Sequence, residues 1–309
     1  MEVELIKLTI SLLYGIPSFV LYIVILIQIV RPKYRKTFSN AFFRLFSAIG
    51  FVDCLGYLTY YTFFTLPMYS ITSPIFGSSL FAPSAFTTGI YFSLFMSGYL
   101  QIFGNCFLTV NRFTAIVFPL RHDKIWRALL PISVVTTIII SIAPCWQVST
   151  ATALYVPLQS DSPQGGYGIM LEIPNPDIPF ILFISIFVTC ALCLFLNAIS
   201  ATVLVFRKNV GSNRKVERNF FLAALIIFMV QSLHGIHEVL FFIGTSTENS
   251  LMVAIMNSTV PWLMDLKFLS PPWILLFFSA SIRETVIKAL PKRFSSNLSA
   301  PVVSLATRS

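Results

Sequence analysis

The sequence predicts an all-α protein, a bundle of seven transmembrane helices with the N-terminus outside the cell and the C-terminus inside. The 309 residues are 56% hydrophobic and only 11% charged, whereas globular domains carry about 25% charged residues. Apolar runs of about 20 residues, the length that crosses a bilayer, recur along the whole chain. Basic residues follow the first, third, fifth and seventh runs, which indicates that these segments face the cytosol.

The seven spans follow from these apolar runs. They are predicted at residues 8–30, 42–68, 86–118, 128–146, 178–206, 219–243 and 251–280. The first run is too long for a cleavable secretory signal and lacks a small-residue cleavage site, so we expect it to stay as a span. Residues 1–292 are predicted to form the membrane domain, and the serine-rich residues 293–309 a disordered cytoplasmic tail.

Beyond the last span, Ile282, Val286 and Leu290 recur every four residues, and Arg283 and Lys288 occupy other faces. This spacing is typical of a short amphipathic helix that lies on a membrane surface. We therefore predict such a helix on the inner surface after span seven.

The segments between spans differ in charge in a way that decides topology. The longest, residues 147–177, contains three acidic residues, no basic residue and the turn-forming sequence SDSPQGGYG. On the predicted outer side, Lys7 is the one basic residue. The net charge of +9 is therefore interpreted as membrane orientation, and nucleic acid is not expected as a partner.

The five cysteines do not form a metal-type cluster. They are Cys54, Cys106, Cys145, Cys190 and Cys193, and most of them lie within apolar runs. We expect no extracellular disulfide, no metal and no cofactor. An enzyme is not expected either, because no soluble domain carries a nucleophile, a phosphate-binding loop or a metal cluster.

One arginine lies at the end of a predicted span. Residues 111–126 read NRFTAIVFPLRHDKIW, so that Arg112 ends the third apolar run shortly before Pro119 and a basic segment. A cation at this depth is costly unless it reaches the lipid headgroups, pairs with an acid or has a function. The simplest interpretation is an arginine that extends to the headgroups.

Other ionisable residues lie well inside spans. Asp53 in span two must face the bundle interior or be protonated, with Gln101 and Asn105 on span three as candidate partners. In span seven, Asp265 and Lys267 are two residues apart and point to different sides, so we do not expect them to pair with each other.

Lys267 needs an acid within the bundle, and Asp53 and Glu238 are the two candidates. Glu238 shares a helix face with His234, four residues earlier, and His237 precedes it directly. The zinc-binding order HExxH is absent, so this group is expected to line a wet cavity or to bond neighbouring helices rather than to hold a metal.

The chain resembles a rhodopsin-like G-protein-coupled receptor at the inner end of span three. That family carries an acid-arginine-aromatic triplet followed by Pro-Leu, and Arg112, Phe113, Pro119 and Leu120 fit this spacing. Asn111 replaces the acid. Asp53 is similar to the family's span-two aspartate, and SPPW at residues 270–273 is similar to a variant of its span-seven element.

The departures fit the nematode serpentine chemoreceptors better. Span one has no asparagine, span six has no proline, and no cysteine begins span three. Residues 111–126 are similar to the span-three signature of serpentine classes gamma and V. Span seven is also similar to that of these classes, with a Pro272–Trp273 step followed by Ser281 and Arg283. Either class remains open at this point.

The resemblance implies roles for individual residues. Asn111, Arg112 and Phe113 would form a G-protein switch, with Glu217 at the start of span six as the resting partner of Arg112. Asp53, Asn105 and Pro271 would form a polar core. The ligand pocket would lie between the outer halves of spans three, six and seven, with eight candidate residues: Tyr91, Phe95, Met96, Tyr99, His234, Glu238, Trp262 and Asp265.

A plasma-membrane chemosensory receptor is thus the expected function. The resemblance implies a small extracellular ligand, a heterotrimeric G protein on the cytoplasmic side and a location such as a sensory cilium. The intramembrane charges keep two alternatives open, a seven-span transporter or ion pathway and an interaction protein without signalling. The transporter alternative lacks the paired broken helices or glycine-rich filter of that class.

Overall fold

Long helices make up most of the protein. The computed structural model describes residues 2–158, 166–172, 177–206 and 214–289, and the predicted tail at 293–309 lies outside these ranges. Within them, seven helices of 20 or more residues follow one another along the chain. They are α1 (Glu2–Val30), α2 (Ala41–Tyr60), α3 (Ala85–Val117), α4 (His122–Ser149), α5 (Asp177–Phe206), α6 (Arg214–Ser246) and α7 (Ser250–Phe278).

The outer faces of these helices expose apolar side chains. Leu13 and Phe187 are 77% and 62% exposed, as expected where lipid replaces water as the solvent. By length and composition, α1, α4, α5, α6 and the helix that starts with α2 could cross a membrane, and α7 with the helix after it forms a sixth candidate. α3 is not among them, because its buried face carries polar residues such as Gln101, Asn111 and Arg112.

α3 lies at the centre of the bundle, in contact with α2, α4, α5 and α6, and α1 packs against α2 and α7. The end of the bundle at which α1, α3 and α7 finish and α2, α4 and α6 begin is called the basic end below. There, an aromatic cluster that includes Phe38, Phe42, Phe43, Phe46 and Phe220 fills the space between α2 and α6.

Two helices begin earlier than the apolar pattern predicts. α4 starts at His122 rather than near residue 128, so Lys124 and Arg127 lie in its first turns and not in a loop. α6 starts at Arg214 rather than at 219, so Glu217 is helical. The predicted boundaries followed the apolar residues, but lysine, arginine and glutamate are good helix formers and extend a helix beyond the apolar region.

α2 changes its winding before it ends. A π-helical turn at Tyr61–Thr65 and a 3₁₀ turn at Leu66–Met68 continue it, so the ordered helical path reaches the predicted end of span two. A single turn at Ser73–Phe76 follows. α3 then starts with a capping box in which Ser84 and Thr87 bond each other's backbone N–H groups.

A β-hairpin corrects the all-α expectation. β1 (Ala153–Pro157) pairs antiparallel with β2 (Tyr167–Leu171). The hairpin packs on α2 and α3, because Tyr155 Oη donates to the Phe63 carbonyl at 2.7 Å and Thr87 Oγ1 donates to the Ala153 carbonyl at 2.9 Å. Five-residue strands with little alternation give too weak a signal to separate them from a loop.

A short helix follows α7 as predicted. α8 (Ala280–Ala289) is bent by 101° from α7. Ile282 and Val286 are buried, whereas Leu290 lies outside the described residues. Arg283 Nη1 donates to the carbonyls of Leu276 and Phe277, which caps the end of α7 with a cation.

Replacement of Gly166 by alanine tests the close contact between the start of β2 and the backbone of Met68. A Cβ at this position would lie 2.1 Å from the Met68 carbonyl oxygen, so the backbone must shift. We expect Gly166→Ala to lower the free energy of unfolding by about 1–3 kcal/mol. Gly98→Ala is the control, because no atom lies within 4 Å of its added Cβ. Thermal unfolding of the purified protein measures both, and equal stability of the two variants would contradict this packing.

Candidate functional site

A buried guanidinium joins three helices at the basic end. Arg112, near the end of α3, is 4% exposed. Its Cζ lies 4.2 Å from the ring centroid of Phe42 on α2 and 5.3 Å from that of Phe220 on α6. Aromatic faces stabilise a desolvated cation, so the α2–α6 aromatic cluster forms part of the environment of this charge.

The remaining contacts of Arg112 are polar. Its Nε and Nη2 both donate to Asn111 Oδ1, the former at 3.2 Å. Its Nη1 lies 4.0 Å from Glu217 Oε2 on α6, an ion pair too long for a hydrogen bond. The structure thus brings together three of the four predicted switch residues. Phe113 lies apart from them, in an edge contact with Phe118.

The residues after Arg112 fasten α4 to α3. Trp126 Nε1 donates to Thr114 Oγ1 at 2.7 Å, and His122 Nδ1 lies 3.2 Å from the same oxygen. Trp126 is buried. The similarity of residues 111–126 to a serpentine signature therefore coincides with a packed contact between α3 and α4 directly after Arg112.

Asp53 has a partner that the sequence did not predict. Tyr22 on α1 donates from Oη to Asp53 Oδ2 at 2.7 Å. Gln101 and Lys267 are close enough to interact with the same carboxyl. Among the described residues, no hydrogen bond joins Asn105 to Asp53, and the Asn105 carbonyl instead accepts from Thr109. Gln101, the other predicted candidate, is the neighbour on α3.

Pro271 in α7 opens a contact between α7 and α3. A proline has no N–H to donate to the carbonyl four residues earlier, which is that of Lys267. Gln101 Nε2 donates to this carbonyl at 3.3 Å. Asp53 and Pro271 of the predicted polar core are thus linked through Gln101 rather than through the predicted Asn105, and Tyr22 joins Asp53 to α1.

Lys267 lies near both of the acids that the sequence proposes for it. It is 5% exposed and interacts electrostatically with Glu238 and Asp53. Among the described residues, no carboxylate oxygen lies within 4.0 Å of Lys267 Nζ, so Lys267 forms no salt bridge there. Lys267 is thus buried between an acid of α6 and an acid of α2.

The histidines of α6 converge on one carboxylate. His234 Nε2 and His237 Nδ1 lie 3.5 and 3.6 Å from Glu238 Oε1. His237 Nε2 also lies 3.1 Å from the Met256 carbonyl of α7. Within the described ranges, no group of three or more His, Cys, Asp or Glu side chains could hold a metal ion.

A cavity of about 220 Å³ lies at the end of the bundle opposite Arg112, between α1, the end of α2 and α7. Ten residues line it: Glu4, Lys7, Ser11, Thr65, Met68, Tyr69, Ser258, Pro261, Trp262 and Asp265. Asp265 is buried, and its Oδ2 accepts hydrogen bonds from Ser11 Oγ at 3.2 Å and from Tyr14 Oη. Burial raises the pKa of Tyr69 to about 12, so its hydroxyl stays protonated.

This cavity differs from the predicted pocket between spans three, six and seven. Of the eight candidates, Trp262 and Asp265 line it. Tyr91 and Phe95 instead pack in the aromatic cluster below the hairpin, and Tyr99 is buried against Phe103.

Several residues of these sites were missed from the sequence. They lie on α1: Ser11, Tyr14, Ser18, whose Oγ accepts a hydrogen bond from Trp273 Nε1 of α7 at 2.9 Å, and Tyr22. Their spacing of three, four and four residues places them on one helix face. Polar groups in an apolar helix turn towards the bundle, so this spacing would have indicated the buried face of α1.

Fold and site together define a multi-pass helical membrane protein with buried charges at both ends of its bundle. The chain belongs to the Srg family of chemoreceptors, whose family model matches residues 8–286. The resemblance drawn from residues 111–126 and from span seven is thereby confirmed, and the members of this family are receptors rather than enzymes.

Curated relatives from Caenorhabditis elegans agree with this assignment. The chain is 28% identical to serpentine receptor class gamma-15 over 213 residues, which are 65% of this chain and 62% of that receptor. It is 24% identical to class gamma-31 over 294 residues, 89% of either chain. It is also 30% identical to class V-1 over 124 residues, 40% of this chain and 37% of that receptor. The match to class gamma-15 thus spans less than two thirds of that receptor's length.

Tyr22→Phe tests the α1–α2 polar contact. The variant leaves the buried Asp53 without its hydroxyl donor, and we expect the free energy of unfolding to fall by about 1–3 kcal/mol. Because both residues act through one bond, Tyr22→Phe combined with Asp53→Asn should lose less than the sum of the single losses. Chemical unfolding of the purified variants measures this, with Tyr34→Phe as control. Strict additivity would argue against the contact.

Proposed function

We propose that this protein is a G-protein-coupled chemosensory receptor of the plasma membrane, which binds a small extracellular molecule and signals through a heterotrimeric G protein. Membership of a chemoreceptor family supports the sensory role. The distribution of basic residues supports seven spans with the N-terminus outside and the basic end in the cytosol. The cavity beside α1 then faces the exterior.

The contact between Arg112 and Glu217 carries the proposal. It is the ionic link between the inner ends of α3 and α6, and it lies where a cytoplasmic partner would bind. In the resting state Glu217, Asn111 and two aromatic rings satisfy the guanidinium. If α6 moves outwards, Arg112 loses Glu217 and Phe220 together and becomes available to the G protein.

The ligand must favour this second arrangement to act as an agonist, because a ligand that binds both states equally shifts nothing. α7 supplies a physical route. Asp265 lines the outer cavity, and two residues further along the same helix the Lys267 carbonyl accepts from Gln101 of α3. A shift of α7 at the cavity therefore reaches the helix that carries Arg112.

Arg112→Ala tests the switch. We expect the variant to lose signalling but still to bind ligand, because Arg112 lies far from the cavity and shares no partner with it. A ligand screen in cells with a G-protein reporter measures signalling at matched surface expression. Unchanged signalling would remove Arg112 from the mechanism. Ligand-evoked current in cells without the G protein would favour a transporter or an ion pathway.

Glu217→Gln tests the same contact and should change signalling in the opposite direction. It removes the charge that holds Arg112 at rest, so basal signalling without ligand should rise. The Glu217 side chain is 40% exposed, and water screens the pair, so we expect a loss of about 1 kcal/mol from the resting state. This would raise a minor active population about fivefold.

The control for this variant is Glu284→Gln on α8. It removes an exposed acid that pairs with Lys288 at 3.9 Å and should leave basal signalling unchanged. An equal rise in both variants would show that loss of any acid at this end activates the receptor.

Epitope tags at the two ends test the topology. With seven spans, an N-terminal tag should be accessible to antibody on intact cells, and a C-terminal tag only after permeabilisation. Tags on the same face of the membrane would exclude an odd number of spans and with it this receptor assignment.

A further inference from the structure

We propose that the cavity between α1, α2 and α7 binds a small molecule that carries an ammonium group, with Asp265 as its counter-charge. This inference deepens the proposed receptor function and rests on it for the origin of the ligand outside the cell. It concerns the cavity lined by Ser11, Tyr69, Trp262 and Asp265 and not the predicted pocket between spans three, six and seven.

The hydrogen bonds of Asp265 are incomplete on one side. Its Oδ2 accepts from Ser11 and Tyr14, but its Oδ1 is buried and has no hydrogen-bond partner among the described residues. A carboxylate can accept about four hydrogen bonds, and a buried acceptor without a donor is costly. Asp265 lines the cavity, so a turn of its carboxylate that brings Oδ1 towards the cavity would let a ligand placed there supply the donor.

The charge of Asp265 is also uncompensated. Among the described residues, no Lys, Arg or His nitrogen lies within 4.0 Å of it. The lining contains one further acid, Glu4, whose Oε2 accepts from Ser70 Oγ at 2.6 Å, and one base, Lys7, which is exposed. The lining carries two acids against one base, so the charge of a bound cation would balance it.

The rest of the lining suits an organic cation. Trp262 lines the same cavity as the carboxylate, with its ring centroid 6.3 Å from that of Tyr14, and tryptophan offers the most favourable face to an ammonium group. The volume of about 220 Å³ is below the ~300–1,000 Å³ of sites for drug-sized ligands. Size, aromatic lining and charge together favour a small aromatic or alkyl amine over an acid or a neutral molecule.

Three probes with one skeleton test this preference. Phenethylamine, phenethyl alcohol and phenylacetate differ in the head group, which is cationic, neutral or anionic. Isothermal calorimetry on the purified full-length receptor in lipid nanodiscs, without G protein, measures their affinities. We expect phenethylamine to bind at least about tenfold more tightly than the other two, the ratio that one charge-assisted contact supplies.

Variants assign the binding to this cavity. Asp265→Asn keeps an oxygen for Ser11 and Tyr14 but removes the charge, and should weaken phenethylamine binding about tenfold. Trp262→Leu should weaken it about threefold through loss of the aromatic face, and it serves if Asp265→Asn does not fold. Glu248→Gln, an exposed acid in the turn between α6 and α7, should leave the affinity unchanged.

Several results would overturn the inference. They are tight binding of phenylacetate or phenethyl alcohol, no phenethylamine binding at millimolar concentration, and full amine affinity in Asp265→Asn or, should that variant not fold, in Trp262→Leu. None of these bears on the Arg112 switch, because the binding assay contains no G protein. Conversely, if phenethylamine binds and Asp265→Asn weakens that binding as expected, the assignment of the amine site holds even if Arg112→Ala signals normally.

Discussion

The buried guanidinium of Arg112 is the group on which the packing at the basic end of the bundle depends. In a medium without water, a cation is tolerated where surrounding groups replace its hydration. Phe42 brings α2, Phe220 and Glu217 bring α6, and Asn111 belongs to α3 itself. The ends of α2, α3 and α6 therefore all contact one charged group, and a movement of any of these ends alters the environment of Arg112.

Other buried charged or ionisable groups, at other depths of the bundle, also have polar or charged neighbours. Asp53 is met by Tyr22, Asp265 by Tyr14 and Ser11, and Lys267 lies between two acids. Each of these groups sits on a different helix from its partner, so hydrogen bonds and charge, rather than apolar contact alone, determine which helices become neighbours. In lipid the apolar side chains gain little from leaving the solvent, which gives the polar contacts more weight in specifying the fold.

The long helices were predictable because a bilayer-spanning helix needs an apolar run of set length. The amphipathic α8 was predictable because apolar residues recur every four positions after the last span. Glu217 was predicted as the neighbour of Arg112 from the family resemblance. The hairpin was not predicted, since its position against the helices depends on contacts with Phe63 and Thr87 that no local pattern encodes. Partners such as Tyr22 were missed because the polar spacing on α1 indicates which face is buried but not which residue of another helix that face meets.

Pro271 gives α7 an unusual mechanical property. Pro271 cannot donate to the carbonyl of Lys267, which accepts from the side-chain amide of Gln101 instead, so α7 can change its curvature here without breaking a bond between residues 271 and 267. The stiffness of the last membrane helix is thus controlled by a side chain of another helix. A rotation of α3 that withdrew Gln101 would soften this joint, whereas a closer approach would lock it.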